Sequence, residues 1–146
     1  MSVERVDVTD AEAMAAVIAR AHTAEHPLRG VFHTAGVVDD KRISVMDRDS
    51  LASVYRPKVD GVRALLHGLT TAGAELDLFI LFSSGSAIFG GVGQYAYTAA
   101  NLTLQAVADV VVRKGGKALA VGWGHMSGGG MAAADENLAR YLRNTG

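Results

Sequence analysis

Tyr97 and Asn101 lie four residues apart in a stretch with helical spacing, so they share one helix face and can act on the same molecule. Thirteen residues before Tyr97, the pair Ser83-Ser84 closes the most apolar run of the chain. Polar side chains at the C-terminal end of a parallel strand sit where such sheets bind ligands. A tyrosine phenol can give its proton to a developing alkoxide if its pKa is brought down from about 10, and a neighbouring ammonium does this by favouring the phenolate. Lys58 is the candidate for that ammonium. It stands four residues from both Val54 and Val62 and seven from both Leu51 and Leu65, on an apolar stripe where an unpaired charge is costly. Each residue also has a plain structural reading. Lys58 could snorkel from a helix end broken at Pro57, Ser83 and Ser84 could cap the next segment, Tyr97 could be a core aromatic and Asn101 a surface residue. A tyrosine four residues before an asparagine says little alone; the four residue types together specify proton transfer to a carbonyl.

The elements that must position these groups follow from the apolar pattern. Short apolar runs at Val3–Val8, around Val31–His33, Leu76–Ser83 and Ala118–Val121 read as strands. Helical spacing marks Ala11–Ala24, through Met14, Val17, Ile18 and Ala21. It marks a stretch from about Ser50 to Leu69 and another from about Gln94 to Lys114, which stops at Gly115-Gly116. Alternation of strand and helix predicts right-handed crossovers and an α/β fold, a parallel sheet with helices on both sides.

The 146 residues carry a net charge of −1, with 20% charged and 49% hydrophobic residues. That balance is ordinary for a globular domain and predicts neither a nucleic-acid nor a membrane partner. With no cysteine, disulfides and thiolate metal sites are excluded, and a cytoplasmic location is expected. The first residues carry no signal-peptide core. His22, His26, His33, His67 and His125 show no metal-ligand spacing, so no metal is expected and they read as structural or solvent-facing.

Four segments resemble polyketide synthase ketoreductases, a branch of the short-chain dehydrogenase/reductase superfamily. They are His33-Thr34-Ala35-Gly36-Val37-Val38-Asp39-Asp40, Arg56-Pro57-Lys58-Val59-Asp60-Gly61, Leu81-Phe82-Ser83-Ser84 with Tyr97 and Asn101, and Val121-Gly122-Trp123-Gly124 with Gly128-Gly129-Gly130-Met131. The resemblance covers essentially the whole chain, 1–146. It implies a Rossmann-type, doubly wound, three-layer α/β/α sheet and NADPH-dependent reduction of a β-ketoacyl thioester in polyketide, hence secondary-metabolite, biosynthesis. It implies Tyr97 as proton donor, Ser84 as hydrogen-bond donor to the carbonyl, Lys58 on the nicotinamide ribose and Asn101 as the residue that positions Lys58 or a water chain. Asp7, with Val8, would meet the adenine; Ala35 and Gly36 would line the cofactor, and Trp123-Gly124 would flank the nicotinamide. Asp39, Asp40, Phe89 and Met131 would govern substrate approach. Val38-Asp39-Asp40 resembles the L-D-D motif of B-type enzymes, and Phe89 stands where A-type enzymes carry tryptophan. Ala99 stands where epimerising B-type enzymes have proline, so a B-type product without epimerisation is implied.

The implied partners are an acyl carrier protein and the remaining synthase domains, including the N-terminal part of the reductase. The phosphate-binding strand–turn–helix unit of such folds, the first βαβ unit, is not among these residues. Gly128–Ala133 has the glycine spacing but stands too near the end of the chain to serve, and reads as a loop before a last helix. This stretch alone is therefore expected to hold NADPH weakly and to self-associate. His125-Met126 stands where the family often has Pro-Trp, and Lys41 where it often has glycine. A free-standing reductase of a small ketone and a non-catalytic half-domain within a larger synthase are the alternatives.

Overall fold

The computed structural model describes residues 2–124. Helix α1 spans Ala11–Ala21, strand β1 Gly30–His33, helix α2 Arg48–Ala72 and strand β2 Leu78–Ser84. The short helix α3 (Ser86–Phe89), helix α4 (Tyr95–Arg113) and strand β3 (Ala118–Trp123) follow, and a single 3-10 turn, Ile43–Val45, lies before α2. The three strands are parallel in the order β1-β2-β3. Their register aligns His33 with Leu81 and Ala120, and Ser84 with Trp123.

Local chemistry explains each boundary. Asp10 caps α1 by accepting from the Glu12 and Ala13 amides, and Asp47 caps α2 by accepting from the Ser50 amide. Gly73, at φ +63°, ends α2 in the left-handed region. Gly115, at φ +86°, turns the chain out of α4, as the paired glycines predict. Pro57 lies inside α2 and does not break it, so Lys58 is a mid-helix residue rather than one at a helix end.

One core joins the elements. Met14 and Ile18 of α1, Val62, Leu65 and Leu69 of α2, Phe79 and Leu81 of β2, and Leu104 and Ala108 of α4 are buried in a single cluster. Burying each large aliphatic side chain contributes about 1.5–3 kcal/mol. Alternation along β2 assigns Phe79, Leu81 and Ser83 to the helix side. The row Phe32–Ile80–Leu119 faces the other way, and its outer members Phe32 and Leu119 are 59% and 57% exposed.

One expectation is corrected. Val3–Val8 is not a strand: Val3 and Val6 remain exposed and no strand pairs with the segment, and apolar alternation cannot make a strand without a ladder partner. Among the described residues, α1, α2 and α4 pack in one core against the same face of the sheet. The strand–helix alternation itself, the parallel sheet and the three long helices are as the sequence predicts.

The α1–α2 contact supplies a test of this packing. A Cβ at Gly68 would lie 2.7 Å from Ile18 Cδ1 and 3.1 Å from the Ala15 backbone. Gly68→Val is expected to cost about 1–3 kcal/mol in denaturant unfolding through overpacking, with Gly73→Ala costing about 1–2 kcal/mol for its positive φ alone. Valine tolerated at 68 without loss would show that the two helices are not in close contact.

Candidate active site

Lys58 reaches its position from the middle of α2, one turn after Val54 and one before Val62, on the helix face that meets the core. It is 3% exposed, and its Nζ donates to the Phe82 carbonyl over 2.8 Å. The same nitrogen lies 5.8 Å from the centroid of the Tyr97 ring, within cation–π range. Burial pushes the amine from its ordinary 10.5 down to about 8. Gly36, just beyond β1, makes room for it: a Cβ there would stand 3.1 Å from Lys58 Cε and 3.3 Å from Nζ.

Tyr97 and Asn101 stand one turn apart near the start of α4. Asn101 is fully buried, which removes its reading as a surface residue. Its amide Nδ2 donates to the Tyr97 carbonyl at 2.8 Å, whereas its Oδ1 is buried with no hydrogen-bond partner. Ser83 is buried and its hydroxyl donates to the Asn101 carbonyl at 3.0 Å, tying the end of β2 to α4. Ser84 points to the other side of the strand and accepts from the Ser86 amide at 3.2 Å. This local turn bond, rather than a cap of α3, occupies only an acceptor lone pair; the Ser84 O–H remains available to donate. Lys58, Tyr97, Asn101 and Ser83 therefore gather on the helix side where β2 ends, with Ser84 on the opposite side of the same strand end.

Around this group, Phe82 and Trp123 stack with centroids 5.3 Å apart, and the Gly85 amide donates to the Trp123 carbonyl at 2.8 Å. Gly124 follows Trp123. Ala35 and Gly36 leave β1 beside Lys58. Val8 packs on the core, whereas the Asp7 carboxylate is exposed and accepts from both the amide and the hydroxyl of Thr9, which hold it below the usual carboxylate range. Asp39 pairs with Lys41 at 2.9 Å, and this bond holds the Lys41 amine above its ordinary value. The Asp40 carboxylate accepts from Gln94 Nε2 at 3.0 Å, and the Lys41 amide donates to the Gly93 carbonyl. The loop after β1 is thus fastened to the one before Tyr97, and beside them lies an open cavity of about 390 Å³, lined by Lys41, Arg42, Ile43, Gly93, Tyr95 and Thr98 among others. Phe89 ends α3 and is 86% exposed. Met131 lies outside the described residues.

Three participants escaped the sequence reading. The Phe82 carbonyl carries no residue-type signal. Gln94 precedes its helix and shows no pattern. His33, read as structural or solvent-facing, is buried at 2% exposure with Nε2 3.0 Å from the Lys58 carbonyl. No group of side chains suited to a metal ion occurs among the described residues.

The residues fit a nicotinamide cofactor on two observations: Gly36 keeps Lys58 clear of any side chain from β1, and Asn101 Oδ1 is a buried acceptor without a partner. Lys58, Ala35, Gly36, Trp123 and Gly124 would hold such a group, with Asp7 and Val8 at its far end.

Residues 1–128 match the family model described as KR domain. Polyketide synthase GfsE of Streptomyces halstedii is 52% identical over 120 residues, which are 82% of this chain and 3% of that synthase. Two solved structures are similar. PlmKR1, the ketoreductase from the first module of phoslactomycin biosynthesis in Streptomyces sp. HK803, is 40% identical with a TM-score of 0.84 over 97% of this chain and 32% of its own. A structure of A-type ketoreductases from a modular polyketide synthase is 39% identical with a TM-score of 0.87 over 99% of this chain and 30% of its own. The chain thus spans about a third of the solved ketoreductases and a small part of the synthase. With Lys58, Tyr97 and Asn101 gathered at the end of β2 in that fold, the chain belongs to the ketoreductase (KR) domain family of the polyketide synthases.

Proposed function

We propose that residues 1–146 form the catalytic part of a ketoreductase domain that reduces a β-ketoacyl thioester to the β-hydroxyacyl thioester, with NADPH as the reductant. The substrate arrives on an acyl carrier protein, and the domain works in the cytoplasm among the other domains of a polyketide synthase. The observation that carries the reading is the Lys58 ammonium, buried in the core face of α2, held by the Phe82 carbonyl and set over the Tyr97 ring. An amine so placed costs folding free energy, and that cost is explained by its use.

When bound, the reduced nicotinamide supplies the hydride to the carbonyl carbon. The Ser84 O–H holds the carbonyl oxygen by a hydrogen bond. The Tyr97 O–H gives that oxygen its proton, so the C=O π pair becomes the O–H bond of the alcohol. The phenolate left on Tyr97 is favoured by the Lys58 charge until solvent returns a proton. Asn101, through the Tyr97 carbonyl, keeps the turn that carries the phenol in place and leaves Oδ1 to meet a water or the cofactor.

For the hand of the product we propose the B-type, without epimerisation. Asp39 and Asp40 support this reading because Asp40 accepts from Gln94 just before Tyr97 and Asp39 pairs with its loop neighbour Lys41, and Phe89 rather than tryptophan stands eight residues before Tyr97. Overall likeness does not decide the hand, since the similar solved structures include A-type enzymes.

Three outcomes are expected. In the complete domain, Tyr97→Phe reduces kcat for ketone reduction by about 10²–10⁴-fold while NADPH binding stays within about twofold. Equal loss of binding and turnover would make Tyr97 structural. Chiral analysis of the alcohol formed from a β-ketoacyl thioester returns the D-configured hydroxyl, and a predominantly L-configured product overturns the B-type assignment. Lys58→Met separates stability from catalysis. Because the folded amine titrates near 8 and the free one near 10.5, the unfolded chain binds more protons between these values and stability rises with pH across that window. The variant therefore gains on the order of 1–3 kcal/mol at pH 7 and little above pH 10.5, and it loses turnover. A loss of stability at pH 7 would show that the amine is a structural pillar instead.

A further inference from the structure

His33 ends β1 with its ring turned to the helix side of the sheet, buried, and bonded through Nε2 to the backbone carbonyl of Lys58 at 3.0 Å. A carbonyl is an acceptor, so Nε2 carries the hydrogen in this contact. The Lys58 carbonyl lies inside α2, four residues before Val62, and so already accepts a helix hydrogen bond. The bond from His33 is an extra one on its second lone pair, and helix formation does not require it. A residue needed only to fill this space would be apolar, as its register neighbour Leu81 is.

A Cβ at Gly61, one turn after Lys58, would stand 3.0 Å from His33 Cε1 and 3.1 and 3.2 Å from the two Val8 methyls, so α2 is cleared at that point for the imidazole and Val8 together. Three residues beyond His33, Gly36 is cleared for the Lys58 amine. The segment at and after the end of β1 therefore meets Lys58 at two places, its carbonyl by a donated hydrogen bond and its amine by the room left at Gly36. The Phe82 carbonyl of β2 takes the third.

We propose that His33 is a positioning residue for reduction: by donating to the Lys58 carbonyl it sets the height of α2 against the sheet, and so aims the Lys58 ammonium at Tyr97. The inference rests on the ketone-reduction reading above. Burial and the nearby Lys58 charge lower the affinity of His33 for a second proton, while its bond to the Lys58 carbonyl works the other way; the first effect is the largest, so the ring stays a neutral donor. Among the described residues, the titratable side chains facing Lys58 are His33 from β1 and Tyr97 from α4.

The test uses the complete reductase domain and follows ketone reduction. His33→Leu keeps the volume and removes the donor; His33→Gln returns an N–H at the reach of Nε2. His33→Leu is expected to lower kcat about tenfold and to leave KM for NADPH within about twofold. His33→Gln is expected to restore kcat. If His33→Leu does not fold, His33→Asn, whose amide is too short for the contact, is read in its place and is expected to show the same loss of kcat. A folded donor-free variant that matches the parent in kcat overturns the proposal, as does a Gln variant no better than Leu. Tyr97→Phe is run alongside. If it is inactive while the donor-free variant behaves as the parent, only the role of His33 falls; if it retains turnover, the reduction reading itself falls.

Discussion

A buried ammonium inside an apolar core is the constraint around which this part of the molecule is arranged. Water cannot solvate Lys58 at 3% exposure, so the surrounding backbone must, and among the described residues the Phe82 carbonyl does. Meeting that need dictates much else. The helix has to pass through Pro57 without breaking, the β1 end has to carry glycine at 36, and α4 has to bring an aromatic face rather than a second charge to the amine. Burial lowers the amine to about 8, which keeps a large part of the population charged near neutral pH but leaves it responsive to any anion or phenolate that forms beside it.

The sheet explains why these groups meet at one edge. Parallel strands place all their C-terminal ends together; β2 and β3 there supply Ser83-Ser84 and Trp123 in register, and Gly36 follows the end of β1. The crossover helices α2 and α4 lie on the same face, so residues at the same height on each, Lys58 and Tyr97, come into contact although 39 positions of sequence divide them. The core of Phe79, Leu81, Val62 and Leu104 fixes that height. A site assembled from four elements is only as well placed as their packing, which is why small residues at Gly61 and Gly68 matter as much as the polar ones.

The mouth is built with different physics. Asp39, Asp40, Lys41 and Gln94 are wholly or partly exposed, and their bonds are worth little individually, since solvent competes for every one. Together with the backbone bond from Lys41 to Gly93 they hold two loops to each other next to an open cavity. Such loops can vary without disturbing the buried set, and enzymes that share one reduction chemistry can differ in how they admit substrate.

Much of this was legible in the residues. The 3.6-residue period placed Lys58 on the buried stripe of α2 and put Tyr97 and Asn101 on one face, because a helix converts spacing directly into direction. The apolar run of β2 marked a covered strand, and paired glycines marked the end of α4. Period and propensity could not supply partners. Val3–Val8 alternates like a strand but has no ladder to join. Pro57 looks like a break but lies in a helix that tertiary packing carries through. His33 looks like any histidine until the fold sets its ring against the Lys58 carbonyl. Local pattern determines which way a side chain points within its own element. What it points at, and so whether a buried amine, a histidine or an orphaned amide oxygen has work to do, depends on contacts between residues far apart in the chain, and those exist only once the elements have packed.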